Sequence, residues 1–367
     1  VNVVFTGGGT GGHLYPAIAI AQALGDRAQV TFIGTADRLE ATIVPQAGYT
    51  LATVRSRPLT RKPSLDLIAT AFANARGTLQ AMRLLARLKP DLVIATGGYV
   101  CFPVVLAARA LRALGRSHVA IALLEPNARP GLTNRLLAPL VDEVWGAFPN
   151  ADPRFAGKYV HTGIPVRASL RALPSREAAI ARLGLSSKRS TLLAMGGSQG
   201  ARSINDALTV LLKNDGLPAG WQLIHVTGEK EYDRVRAALG REEGALRAYL
   251  HDVADAYAAA DLVLARAGAS TLGELAATGK AAILVPYPHA AEDHQRANAA
   301  VVAGAGAAVV VDDRELFAGK LRAILADVVQ PSRLAELRAA AERGLALDPI
   351  ATILNRVEAL GARKKRA

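Results

Sequence analysis

Short apolar runs and helical patterns alternate along nearly the whole chain. In the first half, Val1–Phe5, Gln29–Gly34, Thr50–Val54, Asp91–Thr96, Val119–Glu125, Glu143–Phe148 and Tyr159–Thr162 read as strands. Helical stretches lie between them, among them Leu14–Leu24, Leu65–Leu88 and Phe102–Leu114. In the second half, Thr191–Met195, Trp221–Thr227, Leu246–Leu250, Leu262–Ala265, Ala282–Val285 and Ala308–Val311 alternate with helices in the same way. This is the pattern of βαβ units and of a parallel sheet covered on both faces. It runs too long for one sheet. The segment Pro165–Ser190, rich in Arg, Pro and Ser, is the expected boundary.

An internal echo supports that division. The run from Val3 to His13 reads apolar strand, glycine-rich turn, helix, and the run from Leu192 to Arg202 reads the same. Two Rossmann-like α/β lobes are the economical fold class, each opening with an anion-binding turn and with a ligand cleft between them. The length of 367 residues agrees with two domains. With 51% hydrophobic and 20% charged residues, the chain can bury enough apolar surface to exclude intrinsic disorder. A single cysteine, Cys101, rules out a disulfide framework and an all-cysteine metal site. The longest apolar run, Val100 to Ala108, is interrupted by Pro103 and stopped by Arg109, far short of a membrane span. Residues 1–5 read as a buried strand, so an intracellular protein is expected.

The net charge of +13 is unevenly placed. Eleven basic residues face only Asp66 and Asp91 between positions 55 and 116, and Arg363 to Arg366 add a second basic run. Apolar Leu65, Leu67, Ile68, Phe72, Leu79, Met82, Leu84 and Leu85 are interleaved with Arg76 and Arg83. Such a segment suits an anionic membrane surface, or else an amphipathic helix packed on its own domain. With 5% aromatic residues and no stacking platform, nucleic acid is not an expected partner.

A strand–glycine–helix junction binds phosphate because the first helical N–H groups lack internal partners and the helix dipole favours an anion there. Gly7, Gly9 and Gly12 satisfy the dinucleotide spacing, with Asp37 after the second strand, and Gly97-Gly98 end another strand. His13 sits where the first helix begins. The dipole disfavours imidazolium there, so His13 is a candidate general base. In the second half, Arg266 to Glu274 enter another helix after an apolar strand. Glu274, read as a first-turn residue, is either a cap or an acceptor for two ribose hydroxyls. His289 and His294 lack a third ligand at metal spacing, and no Asp-x-Asp pair occurs, so no metal site is expected. Leaving-group charge would fall to helix N-termini and a cation such as Arg167.

Six segments occur in one order: 8–13, Gly-Gly-Tyr at 97–99, Gly-Leu-Thr-Asn-Arg at 131–135, Gly-Ile-Pro-Val-Arg at 163–167, Gly-Gly-Ser-Gln-Gly-Ala-Arg at 196–202, and 266–274. Together they closely resemble the MurG family of GT-B glycosyltransferase family 28, peripheral-membrane N-acetylglucosaminyltransferases of peptidoglycan synthesis. The likeness runs from the first strand to about Asn298. It implies a GT-B fold: lobe 1–163 facing acceptor and membrane, lobe 164–349 binding the donor, a deep cleft between them, and a C-terminal helix at about 350–367 returning to the first lobe. It implies metal-independent, cofactor-free, inverting transfer of N-acetylglucosamine from UDP-GlcNAc to the 4-hydroxyl of MurNAc in lipid I, giving lipid II at the cytoplasmic face of the plasma membrane. Carried over by residue, His13 is the base. Arg167 and Ser198 meet the diphosphate, and Ala269, Ser270 and Thr271 line it. The Leu250 backbone meets uracil and Glu274 the ribose. His294, Gln295, Asn127, Thr10, Gly11 and Gly12 lie beside the sugar. Gly97, Gly98, Tyr99 and Glu125 serve the acceptor, while Leu65, Ile68, Phe72, Leu79, Arg76 and Arg83 face the membrane. Leu124 and Pro126 depart from the family's His and Gln at those positions. Three readings compete: another GT-B glycosyltransferase, an NAD-dependent oxidoreductase resting on Gly7, Gly9, Gly12 and Asp37, and a non-catalytic phospholipid-binding protein.

Overall fold

The computed structural model describes residues 1–58, 65–149, 152–197, 200–240, 245–250, 252–344 and 347–363. Ser198, Arg61, Lys62 and the 364–366 part of the basic run lie outside them, as does the side chain of Leu65. The chain divides into two compact units, Val1–Arg167 with Leu347–Ala367, and Ala168–Ala346.

The first unit is a seven-stranded parallel sheet. Its strands are β1 (Asn2–Thr6), β2 (Gln29–Gly34), β3 (Thr50–Thr53), β4 (Leu92–Ala95), β5 (Ala120–Glu125), β6 (Glu143–Gly146) and β7 (Tyr159–His161), in spatial order β3-β2-β1-β4-β5-β6-β7. Successive side chains of a strand point to opposite faces, so a run such as Leu92-Val93-Ile94-Ala95 must be covered on both. On one face Val4, Val93, Ala95, Ile121 and Leu123 pack against Ala81 and Leu85 of the Leu65–Leu88 helix and Val104, Val105 and Ala108 of the Cys101–Ala113 helix. On the other, Val3, Phe5, Ile94 and Ala122 meet Leu14, Ala17 and Ile20 of the Gly11–Leu24 helix. Ile350, Ile353, Val357 and Leu360 of the Pro349–Arg363 helix join that second cluster. Arg356 fastens this last helix by pairing with the buried Glu143 carboxylate, which also accepts from Trp145 Nε1 at 2.9 Å.

The second unit is a six-stranded parallel sheet: β8 (Ser190–Met195), β9 (Trp221–Val226), β10 (Ala245–Arg247), β11 (Leu262–Ala265), β12 (Ala282–Leu284) and β13 (Ala308–Val310), ordered β10-β9-β8-β11-β12-β13. Leu192, Ala194, Leu223, Leu264 and Ile283 pack beneath Ile204, Leu208 and Leu211 of the Arg202–Asn214 helix, Leu321 and Leu325 of the Ala318–Val328 helix, and Leu337.

In both units the strand order reverses once, between β1 and β4 and between β8 and β11. Ligands of open parallel sheets bind beyond the carboxyl ends of the strands at that crossover. The glycine turns after β1, β4, β8 and the Arg266 segment after β11 all fall there.

Candidate active site

In the first unit, two turns meet over the β1/β4 crossover. The Gly8 N–H donates to the Gly97 carbonyl at 3.4 Å. The Gly11–Leu24 helix follows with Thr10 as N-cap and with no side-chain capping bond. His13 stands in its first turn, half-buried, with Nδ1 2.9 Å from the Thr96 carbonyl oxygen. A carbonyl only accepts, so Nδ1 carries the hydrogen and the lone pair of the neutral ring is on Nε2. Gly97 makes room for this: at φ +104 it takes a conformation that side chains avoid, and a Cβ there would lie 2.5 Å from His13 Nδ1. Cys101 lies below, donating Sγ–H to the Thr6 and Gly97 carbonyls at 3.2 and 3.1 Å. Burial pushes its thiol up to about 12, so it is a neutral donor in the scaffold.

The first turn is held by a residue that sequence reasoning missed. Glu40 is 1% exposed; its Oε2 accepts from the Gly9 N–H at 3.1 Å, and its Oε1 from the Thr35 N–H and hydroxyl at 3.1 and 2.7 Å. Asp37, the acid on which a dinucleotide reading rests, is exposed and lies 3.9 Å from Arg38. The position that could have flagged Glu40 is its place in the first turn of a helix, Leu39–Gln46, directly after a strand end.

Glu125, expected at the acceptor, is 2% exposed and is occupied within its own loop. It accepts from Asn127 N–H at 2.9 Å, Gly131 N–H at 3.1 Å and Asn134 Nδ2 at 2.8 Å, so its observed work is to shape the turn that presents Asn127. Burial raises its carboxyl to about 7. Arg167 lays its guanidinium 5.4 Å from the centre of the Tyr15 ring, a cation–π contact beside the first helix.

In the second unit, the turn after β8 leads into the Arg202–Asn214 helix, and Gly268 leads into Ala269–Thr278, again with no side-chain cap on either. Ser270 Oγ is buried and has no hydrogen-bond partner among the described residues. Glu274 is in the second turn, not the first as the sequence suggested, so it does not cap the helix. Its Oε2 instead accepts from the hydroxyl of the fully buried Tyr257 at 2.9 Å. Arg266 braces the ends of three strands: it donates to Ser203 Oγ at 3.0 Å and the Val285 carbonyl at 3.2 Å, pairs with Asp313 and lies over Tyr287. Glu292 and Asp293 both hold positive φ, +56 and +54, just ahead of the His294–Gly304 helix. Such strain persists where the surroundings fix it, commonly at ligand sites. It sets His294, whose Nδ1 is 2.6 Å from the Ala291 carbonyl, beside Gln295, whose Oε1 accepts from the Tyr287 N–H at 2.9 Å. The Gln295 amide nitrogen lies 3.9 Å from where a Cβ of Gly268 would stand. Leu250 follows β10 in irregular chain. Among the described residues no group of three or more His, Cys, Asp or Glu side chains could hold a metal ion.

On the Leu65–Leu88 helix, Ile68, Phe72 and Leu79 are 69, 70 and 58% exposed, and Arg76 and Arg83 are exposed on the same stripe by helical spacing. Ala81 and Leu85 on the opposite side are buried. No helix of the described residues is long and apolar enough to cross a membrane.

Two parallel-sheet units, each with glycine turns at its strand-order crossover, form the fold of the GT-B glycosyltransferases. Models of the glycosyltransferase family 28 N-terminal and C-terminal domains match residues 3–145 and 191–353. The chain belongs to that family. It is 42% identical over 359 residues to the UDP-N-acetylglucosamine--N-acetylmuramyl-(pentapeptide) pyrophosphoryl-undecaprenol N-acetylglucosamine transferase of Moorella thermoacetica, covering 94% of this chain and 95% of that one. The enzyme of the same name from Chlorobium limicola is 41% identical over 362 residues, 94% of each chain. Among solved structures, Acinetobacter baumannii MurG superimposes with a TM-score of 0.76 at 27% identity, over 97% of this chain and 99% of that one. The oxidoreductase alternative finds no support among these relatives.

Proposed function

We infer that the chain transfers N-acetylglucosamine from UDP-GlcNAc to the 4-hydroxyl of the N-acetylmuramyl group of lipid I, with inversion, giving lipid II for peptidoglycan and so for cell shape and division. The observation that carries the mechanism is His13 beside two glycine turns: its Nδ1 lies 2.9 Å from the Thr96 carbonyl, so in the neutral ring Nε2 holds the lone pair. Nε2 takes the proton of the 4-hydroxyl as that oxygen attacks the sugar C1 and the bond to UDP breaks. The proton then rests on imidazolium and the electron pair on the diphosphate.

The second unit holds the donor. The Leu250 backbone meets uracil, Glu274 accepts from the ribose hydroxyls, and the N-terminus of the Ala269–Thr278 helix, with Ala269, Ser270 and Thr271, meets the diphosphate alongside Ser198 and Arg167. The buried Ser270 hydroxyl supports this. His294, Gln295, Thr10, Gly11, Gly12 and Asn127 meet the transferred sugar. Gly97, Gly98 and Tyr99 receive the acceptor diphosphate, and Glu125 acts by shaping the Asn127 loop. No metal is used: helix N-termini and Arg167 meet the departing charge. The stripe of Ile68, Phe72, Leu79, Arg76 and Arg83 docks the first unit peripherally on an anionic membrane at its cytoplasmic face, where the acceptor's lipid chain stays.

The test is His13→Gln and His13→Ala with UDP-GlcNAc and a lipid I analogue. Turnover should fall by about 10²–10⁴-fold with UDP affinity unchanged, the range expected for loss of a general base. Turnover within a few-fold of wild type removes the role of His13, and turnover only with another nucleotide sugar removes the donor.

A further inference from the structure

Beside the exposed stripe, with which it shares Phe72 and Arg76, the first unit carries a cavity of about 440 Å³ at the carboxyl ends of β2 and β3. Its lining carries Arg55, Arg57 and Arg76, with Asp37 among them, and is apolar at the buried Val54 and at the exposed Phe72 on its rim. Among the described residues none of the three arginines forms an ion pair with an acid. The segment bearing two of them is irregular yet tightly fixed. Buried Asn74 accepts from Ser56 Oγ at 3.0 Å and the Arg57 N–H at 3.1 Å and donates to the Arg57 carbonyl at 3.1 Å, while Gln80 Oε1 accepts from the Arg55 N–H at 2.9 Å. A strap pinned at each residue presents its guanidinium groups from a rigid base.

The cavity is also coupled to both glycine turns. Thr35 on its wall shares the Glu40 carboxylate with Gly9, and Ser56 Oγ lies 3.2 Å from the Tyr99 carbonyl. Whatever occupies it therefore neighbours a ligand seated on those turns.

We propose that this cavity receives the peptide stem of the acceptor, its arginines taking peptide carboxylates; the proposal rests on the reading of the glycine turns as the acceptor's diphosphate site. Backbone N–H groups already serve the diphosphate there, whereas planar guanidinium forks match carboxylates two bonds at a time. Asp37 in the same wall repels a polyphosphate but suits a chain carrying both signs of charge. The apolar part of the lining suits peptide side chains.

The experiment compares two lipid I analogues identical in lipid, diphosphate and sugar, one bearing the pentapeptide and the other a neutral methylamide in its place. The ratio of their kcat/KM values is measured for wild type, Arg57→Ala and the Arg55→Ala/Arg57→Ala double variant, with vesicle co-sedimentation in parallel. The ratio should fall at least tenfold in the double variant through KM for the pentapeptide acceptor. An unchanged ratio, or a loss that tracks weaker vesicle binding, overturns the proposal, the latter by assigning the arginines to the bilayer. Should wild type glycosylate neither analogue, the glycosyltransferase reading itself fails, and this one with it.

Discussion

Glu40→Gln isolates the clamp on the first glycine turn. The native carboxylate presents two acceptor oxygens, one to Gly9 and one to Thr35. An amide presents one oxygen and one NH2. If the oxygen turns to Thr35, the NH2 faces the Gly9 N–H; if it turns to Gly9, the NH2 faces the Thr35 N–H. Either way one backbone donor in a buried site loses its acceptor, at a cost of about 1–3 kcal/mol. Volume and packing are nearly conserved, so that cost is local to the turn. Part of it should appear as a lower unfolding free energy in urea. The rest should appear as a rise in KM for the lipid I analogue, up to about tenfold for each 1.4 kcal/mol expressed there. KM for UDP-GlcNAc should rise less, because only the sugar contacts of Thr10, Gly11 and Gly12 adjoin the clamped turn while the uridine determinants belong to the second unit. A Glu40→Gln enzyme with wild-type stability and wild-type acceptor KM would refute the clamp. A rise confined to the UDP-GlcNAc KM would refute the assignment of ligands to units.

Further expectations concern other sites. Tyr257→Phe removes the hydroxyl that holds Glu274, so KM for UDP-GlcNAc should rise about tenfold, equivalent to about 1.4 kcal/mol, with kcat kept, and the preference for UDP over 2′-deoxy-UDP should shrink. An undiminished preference would separate Tyr257 from the ribose. Glu125 holds its proton up to about pH 7 when folded and to about 4.5 when unfolded, so between those values the folded state binds more proton and stability declines as pH rises, by about 3 kcal/mol in all. Glu125→Gln should flatten that part of the profile, and parallel profiles for the two proteins would contradict it. Phe72→Ser should weaken binding to anionic vesicles by about 1.5–3 kcal/mol at any ionic strength. Arg76→Ala should cost about 1 kcal/mol, and only in low salt. Equal salt dependence for both variants would remove the membrane stripe.

The thirteen strands among the described residues occur where the apolar runs place them, with ends shifted by a few residues at most; interior strands such as β4, β5 and β11, buried on both faces, leave an uninterrupted apolar record. The Leu65–Leu88 helix is equally plain, since its 24 residues hold no proline and its apolar positions recur at helical spacing, on the exposed stripe as well as the buried side. The unit boundary falls at 167/168 instead of 163/164, and the return at 346/347. Compactness is set by tertiary contacts, which local composition only brackets. At the site, the glycine turns after β1 and β4 are legible because side chains avoid the positive φ that Gly9, Gly97 and Gly98 take. Glu40 and Tyr257 are not legible in that way. Each acts through a partner distant in sequence, Gly9 or Glu274, and the one local hint, Glu40 in the first turn of a helix after a strand end, names no partner. Glu274 was assigned to the wrong turn because the helix starts at Ala269, a boundary set by Gly268 and not by the preceding arginine.

The closing Pro349–Arg363 helix, fastened to Glu143 through Arg356, bears on how the protein is made. The ribosome delivers residues 1–167 first, yet the apolar bed formed by Leu14, Ile20 and Ile94 waits for Ile353 and Val357 until some 180 further residues have emerged. The unit begun first is thus completed last. Nascent chains arrested before position 347 should expose that bed to chaperones, while the inserted unit, contiguous from 168 to 346, can reach its final packing without waiting.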